Sequence, residues 1–468
     1  MPRPTPTGGF HTFTADQIFF STTDDKGVIR EANQTFVDLA HYSPDELLGA
    51  AHNIIRHPSM PRGAFYAMWS TLQAGKPFAA YVRNLAGNGS AYDVFATVTP
   101  LPDGGYLSVR TKPLNKDVHD LAHNQIYPTT LAAEHILREN GHKAAEAAEK
   151  GAENLLTQLE ELNFDSYEQF QNVILPDEIL RRENASEGLL SVEPTSPELA
   201  KISQAVHSIF RGLDQWMTEQ ASLEQLSQAI RRCSTRLRAN LESAHDVSRS
   251  LDTLKSAHPE LVGIFAPIGV WLQMSGIVSQ YTDKIVATIE SLDRSNAETR
   301  ASVALARLHT TVMISFIGEI SDTEHAQATQ AIQTTEAAQT TKAAQHAKAA
   351  LKALCQALIQ GISAMEEQNR SHQSQASNAG GAIDSIVSIM EIPQALARDW
   401  QDSIKGAQLD PEAQALAESM RSSIEGTDAA IAELQELKDR VARVGANLST
   451  RDLRDSVDTI ASWVSEQD

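Results

Sequence analysis

This chain has little to cross-link it and little to anchor it. Of 468 residues only Cys233 and Cys355 are cysteine, too few and too far apart in sequence for a disulfide framework. The first residues, MPRPTPTGGF, contain no apolar run of signal-peptide length. The most apolar long stretch, Val303 to Ile320, is interrupted by Arg307, His309, Thr310, Thr311 and Glu319, so no membrane span is expected. These absences predict a cytoplasmic chain. Proline is missing from Ile268 to Ile392, 125 residues in a row, which leaves long helices uninterrupted. No Gly-x4-Gly-Lys phosphate loop, Gly-x-Ser-x-Gly elbow or kinase lid motif occurs. His309 has no acid beside it and is not a phospho-acceptor. No carboxylate pair or Cys/His set stands in a catalytic context, so no enzyme is expected.

What is present is unevenly placed. Residues 1–112 hold nine basic and nine acidic side chains and 14 of the 26 aromatics. The whole formal charge of −21 therefore lies beyond them, which makes nucleic acid and anionic lipid poor partners for that part. The pattern predicts a flexible start (1–14), an α+β domain (15–113), connecting helices (114–182), a linker (183–197) and a helical bundle or coiled coil (198–468).

In the first domain, Phe19–Thr23 and Val28–Glu31 read as a hairpin around Asp24-Asp25-Lys26-Gly27. Asn33 suits the cap of a short helix, and Ser43-Pro44-Asp45-Glu46 is a capping box with proline at the first helical position. The stretch HNIIRHPSMPRGAFYAMW (His52–Trp69) crowds His52, Asn53, Arg56 and His57 between prolines and an aromatic helix. Such a set suits an orienting pocket for a flat, partly anionic ligand; a surface loop leading into an amphipathic helix is the plainer reading. Strand-like runs follow at Phe78–Leu85, Tyr92–Thr99 and Gly105–Thr111, separated by Gly87-Asn88-Gly89 and Pro102-Asp103-Gly104. The order β-β-α-α-α-β-β-β predicts a curved antiparallel sheet with helices on one side.

The phrases FFSTTDDKGVI, ANQTFVDLAHYSPDELLG, HNIIRHPSMPRGAFYAMW, LQAGKPF, VRNLAGNG and GGYLSVRTKP, in order over residues 19–113, resemble a PAS domain of the aerotaxis-receptor type. That resemblance implies a sensor of redox or energy state with bound FAD. It implies cofactor contacts from Asn33, Arg56, His57, Trp69 and Asn84, with Asn53 added from the same polar stretch. Haem on His57 is the alternative cofactor, without a second feature to favour it. Two positions depart from the family pattern: Ser59 replaces the acid after His-Pro, and Asp93, not an aromatic, follows Tyr92.

Beyond residue 113 the periodicity is helical. Val118, Leu121, Ile126, Leu131 and Ile136 predict a helix from Asn115 to Glu149, kinked or restarted at Pro128. His119 and His123 stand four apart, but no third ligand is near in sequence, so a solvated face is expected rather than a metal site. Two shorter helices are expected over 152–181, ending near Pro176. Trp271, Met274, Val278, Tyr281, Ile285, Thr288 and Leu292 alternate spacings of three and four, a heptad seam. Residues 323–350 bury little and predict a solvated helix or connector, and Asn378-Ala379-Gly380-Gly381 a turn between antiparallel helices. The layout resembles that of a chemoreceptor, without its signalling-tip sequence. Protein partners through the helices, a homodimer and chemotaxis signalling proteins are the expected associations. The alternative is a PAS-helical scaffold without a cofactor.

Overall fold

The computed structural model describes all residues except 1–3, 187–193, 258, 260–261, 330–333, 406, 444–447 and 467–468. Five strands form one antiparallel sheet in the order β2-β1-β5-β4-β3: β1 (Phe19–Thr23), β2 (Ile29–Ala32), β3 (Phe78–Leu85), β4 (Ala91–Pro100) and β5 (Tyr106–Thr111). Between β2 and β3 come α1 (Gln34–Ala40), α2 (Pro44–Leu47), a 3-10 turn (His52–Ile55) and α3 (Arg62–Gln73). The expected α+β order is the observed one.

Local chemistry accounts for the boundaries. Asp24 Oδ1 accepts from the amides of Lys26 and Val28, and Gly27 takes φ 73°, closing the first hairpin. The capping box of α2 is present, Ser43 N donating to Glu46 at 2.8 Å. Phe19, Ile29, Phe36, Leu47, Ile55, Tyr92 and Val94 form the core between sheet and helices.

Among the described residues, nine further α-helices and one π-helical segment follow. Helix α4 (Lys116–Leu121) runs into a π-helical segment (Ala122–Ile126) and α5 (Tyr127–Glu139). Then come α6 (Ala144–Glu161), α7 (Tyr167–Ala185), α8 (Pro197–Ala257), α9 (Val262–Thr329), α10 (Thr334–Ile404), α11 (Pro411–Val441) and α12 (Arg451–Glu466). Helix α7 covers the outer edge of the sheet. Gln171 accepts from Ala79 N and donates to the Pro77 carbonyl, while the Tyr167 and Tyr127 hydroxyls donate to the carbonyls of Ala79 and Tyr81. Those side chains occupy backbone groups that a bare edge strand would offer to another chain.

The chain divides into two compact units. The first comprises Met1–Met217, Ala297–Glu366 and Ser449–Asp468; the second, Thr218–Asn296 and Glu367–Leu448. In the first, α9 and α10 return to the sheet: Phe316 packs edge-on against Phe20 with ring centroids 5.0 Å apart, and His346 pairs with Glu31. In the second, Trp271, Val278, Ile285, Leu292, Ile383, Trp400, Met420 and Ile431 share one core.

Several expectations need correction. The helix expected over Asn115–Glu149 breaks at Asn140–Lys143, where Gly141 takes φ 89°. Pro176 lies inside α7, which runs on to Ala185 into the expected linker, while 187–193 of that linker lie outside the described residues. Gly380-Gly381 is not a turn: α10 passes through it, its bundle partners holding a sequence with weak propensity. The seam of α9 has a different register. Trp271, Val278, Ile285 and Leu292 are buried as expected, but the alternate core positions are Ser275, Thr282, Ile289 and Asn296, while Met274, Tyr281 and Thr288 flank them. Hydropathy favoured the larger side chains; the bundle puts small polar ones where a neighbouring helix fills the space. Helix is present over 323–329 and 334–350, and 330–333 of that stretch lie outside the described residues. The most apolar stretch of α9 is also not Val303–Ile320. Residues 262–279 carry no charged side chain, and Val262–His325 is long and apolar enough to cross a membrane by length and composition.

Candidate functional site

The sheet, the 3-10 turn and α3 enclose a cavity of about 190 Å³. Asn53 and Arg56 reach it from the turn, Trp69 from α3, Asn84 from β3 and Arg110 from β5. A backbone bridge between Arg56 and Asn84 ties the turn to the sheet. Arg56 lies over the Phe65 ring, 3.9 Å from its centroid, and donates to the Met60 carbonyl at 3.1 Å. Trp69 meets Tyr106 edge to face at 5.3 Å.

Two buried groups in this cavity stand out electrostatically. Asn84 is 3 % exposed, and its Nδ2 is shut off from solvent without a hydrogen-bond partner. A buried amide donor left unmade costs about 1–3 kcal/mol, and such atoms are rare in folded proteins. Arg110 is equally buried. It donates to Ser21 Oγ at 3.2 Å, faces His52 Nε2 and lies 5.2 Å from the Phe36 centroid, but no acidic side chain pairs with it among the described residues. Burial pulls its pKa down to about 10, so the guanidinium stays charged at neutral pH. Burial and the neighbouring Arg110 charge keep His52 neutral. The cavity therefore holds an uncompensated cation and an idle amide donor.

Four of the six residues named from the sequence, Asn53, Arg56, Trp69 and Asn84, thus share one cavity. Asn33 and His57 do not. The Asn33 side chain accepts from Phe20 N and Phe36 N and donates to the Ile18 carbonyl, so it is used in capping α1 and fastening it to β1. His57 Nδ1 accepts from Ser59 N at 3.1 Å and pairs with Ser59 Oγ at 2.7 Å. Arg56 is extended, so its neighbour His57 projects to the other side of the chain. Sequence reasoning missed Arg110, and it held His52 only as part of the polar stretch, not among the named cofactor contacts. The available signal was the period-two set Tyr106, Ser108 and Arg110, polar-tipped positions that all line the cavity.

A second cluster lies on the opposite face of β4. Contrary to the expectation of a solvated His119/His123 pair without a third ligand, Asp93 comes within reach of both. The pairing arises because a strand residue and a helix residue 26 positions apart meet across the fold.

The sequence matches the PAS fold family over residues 29–109. Residues 29–109 form a PAS domain. The aerotaxis receptor of Escherichia coli (strain K12) is 40% identical over 107 residues, which are 22% of this chain and 21% of that receptor. The chain thus spans about a fifth of the length of the curated relative it matches. Among solved structures, a light-oxygen-voltage domain studied with a flavin analogue shares 22% identity, covering 23% of this chain and 87% of that one, with a TM-score of 0.21. The LOV domain of the blue-light photoreceptor Aureochrome1 shares 23% identity over 23% of this chain and 89% of that one, also at a TM-score of 0.21. The PAS domain of a protein from Colwellia psychrerythraea shares 18% identity over 21% of this chain and 87% of that one, at a TM-score of 0.20.

Proposed function

We propose that this chain is a non-enzymatic, cytoplasmic redox sensor in which the PAS domain binds FAD non-covalently and the long acidic helices pass its state to a protein partner. The observation that carries this reading is the unpartnered Asn84 amide beside the uncompensated Arg110 cation. A flavin ring offers carbonyl acceptors to the first and electron-rich edges to the second. When bound, the flavin supplies reversible acceptance of electrons and protons. Asn84 and Arg110 would hold the polar edge of the ring, Arg56 and Asn53 its entrance, and Trp69 and Phe65 its faces. The cavity volume of about 190 Å³ holds roughly six waters at about 30 Å³ each. It would take a ring system only if half-buried Met68 or Trp69 moved aside, and the rest of a dinucleotide would have to lie outside it.

Two connections lead outward from the cavity. Helix α3 carries Phe65, Met68 and Trp69 on the cavity side, and its first turn is gripped from behind. Glu134 of α5 accepts from Arg62 N at 2.9 Å and Gly63 N at 2.6 Å. On the sheet side, buried Glu178 of α7 accepts from Leu114 N, Asn115 N and the Tyr81 hydroxyl, joining the end of β5 to α4. A shift of α3 or β5 is therefore transmitted to α4–α7 through hydrogen bonds rather than loose packing. Residues 15–113 are read as the sensor, 114–182 as its connecting helices and 198–468 as the output that dimerises and meets chemotaxis-type signalling proteins. In the uncharged stretch 262–279, Phe265, Ile268, Trp271, Ser275 and Val278 turn into the core of their unit, while Val262, Val270 and Ile277 are exposed.

The test is the visible spectrum of the purified full chain, oxidised and then reduced. Flavin absorption lost in Asn84→Ala and Arg110→Met supports the reading. A colourless protein that takes up no FAD overturns it and favours the scaffold reading, which the small cavity volume supports.

A further inference from the structure

The cluster on the far side of β4 from the cavity has the chemistry of a cation site. Asp93 is 8 % exposed, and Arg83 holds its carboxylate from one side, Nε and Nη2 donating at 2.7 Å each. From the other side, His119 Nε2 lies 3.0 Å from Asp93 Oδ2. His123 is one turn further on, within the π-helical segment, with its ring centroid 4.7 Å from that of His119. Single π turns inside helices concentrate at functional sites, because the extra residue re-aims a side chain. His123 Nε2 is shielded from solvent and has no hydrogen-bond partner. One ligand atom from each of Asp93, His119 and His123 lies within 4.8 Å of the other two.

We propose that Asp93, His119 and His123 bind one divalent transition-metal ion of the zinc class, with a water or anion as fourth ligand. Two imidazoles and one carboxylate leaving an open position is a recurrent zinc donor set. The surrounding groups suit it. Without metal both His119 nitrogens donate to carboxylates at 3.0 Å, Nδ1 to Asp120 Oδ1 and Nε2 to Asp93 Oδ2; a metal ion would displace the Nε2 proton while Asp120 keeps hold of Nδ1–H and of the ring's orientation. Arg83 Nε would stay on Oδ1 while Nη2 gives up Oδ2 to the metal, leaving the hydrogen-bonded carboxylate that such sites employ. A cavity of about 250 Å³ opens on Asp93 and His119 and supplies the fourth position. Lys112 and Lys116 line it and favour a hydroxide or other anion there. Ligand distances of about 2.0–2.2 Å require the three side chains to draw together by small rotamer changes. The site would pin the first helices after the PAS domain to strand β4, and it does not depend on whether the cavity on the other face holds flavin.

The test titrates Zn2+ and Co2+ into chelator-treated full chain, following calorimetric stoichiometry, the visible absorption of four-coordinate cobalt and the thermal midpoint. Expected are one ion per chain, a four-coordinate cobalt spectrum and a midpoint that rises with Zn2+. His123→Gln and His119→Gln should abolish all three, and Asp120→Asn should weaken binding about 10- to 100-fold. Circular dichroism of each metal-free variant establishes that it is folded, and Asp120→Asn gives a reading independent of any ligand lost. Absence of stoichiometric binding by the wild type, or binding that survives in folded His123→Gln and His119→Gln, overturns the proposal.

Discussion

Removing Glu134 should loosen the helix that walls the cavity. Pro61 precedes α3 without a side-chain cap, and the Glu134 carboxylate supplies the acceptors instead, from 72 residues away in sequence. Glu134→Ala leaves the Arg62 and Gly63 amides without acceptors. At about 1–3 kcal/mol per unmade buried group, discounted because Arg62 is exposed, and about 0.3–1 kcal/mol of helix-dipole charge, the loss is about 2–4 kcal/mol. Since about 1.4 kcal/mol is a factor of ten, protection of the α3 amides from hydrogen exchange should fall about 30- to 700-fold. Glu134→Gln keeps one acceptor without the charge and should fall between. Gly63 adds an independent check: a Cβ there would lie 2.4 Å from the carbonyl carbon of Gly151 on α6 and 2.5 Å from Ala152 N. Those obstacles are backbone, so Gly63→Ala must part α3 from α6 by about an ångström, at about 1–3 kcal/mol. Peptide-resolved exchange on the full chain is the assay, because a chain of two units need not unfold in one step. Unchanged protection of residues 62–73 in Glu134→Ala would refute the capping role.

Acid should destabilise the protein through histidines buried neutral. Burial holds His309 down to about 3 and His123 down to about 4, so below pH 6.5 the unfolded chain binds protons that the folded one refuses. Stability present above pH 6.5 is then lost as pH falls, about 1.4 kcal/mol per unit for His309 down to about pH 3; denaturant midpoints against pH should show a shallower acid limb in His309→Leu. Arg110→Met replaces a buried unpaired cation with an apolar chain of similar length, so the ligand-free thermal midpoint should hold or rise while FAD uptake is lost; a large fall in midpoint would show that the charge is already balanced. Tyr167→Phe removes the hydroxyl that donates to the Ala79 carbonyl at 2.9 Å, and should cost about 1 kcal/mol in urea denaturation and speed exchange in β3.

Much of the domain was legible because its punctuation is local. Asp24 through Gly27, the box from Ser43 to Glu46 and the glycines at 89 and 104 act within a few residues, so strand order and helix starts could be read directly. Arg56, Trp69 and Asn84 could be named together because the resemblance supplied a register for them, and Asn53 because it stands in the same polar stretch as Arg56. Asn33 and His57 lie outside that cavity for a physical reason: a side chain next to the right backbone can spend its hydrogen bonds on a cap or point to the opposite face. In the long helices composition could say helix, but only neighbours could choose which stripe is buried, which is why Ser275 and Thr282 displaced Met274 and Tyr281 from the core.

The amino-acid order by itself determined the α+β element sequence, the long helices and the separation of a neutral aromatic module from an acidic one, since these follow from interactions over a few positions. Only the tertiary structure decided that Arg110 would be buried without an acid, that Glu134 would cap a helix far behind it, and that Asp93 would meet His119 and His123. Contacts between residues distant in sequence are set by how a twisted sheet and its helices stack, and no local pattern records that stacking.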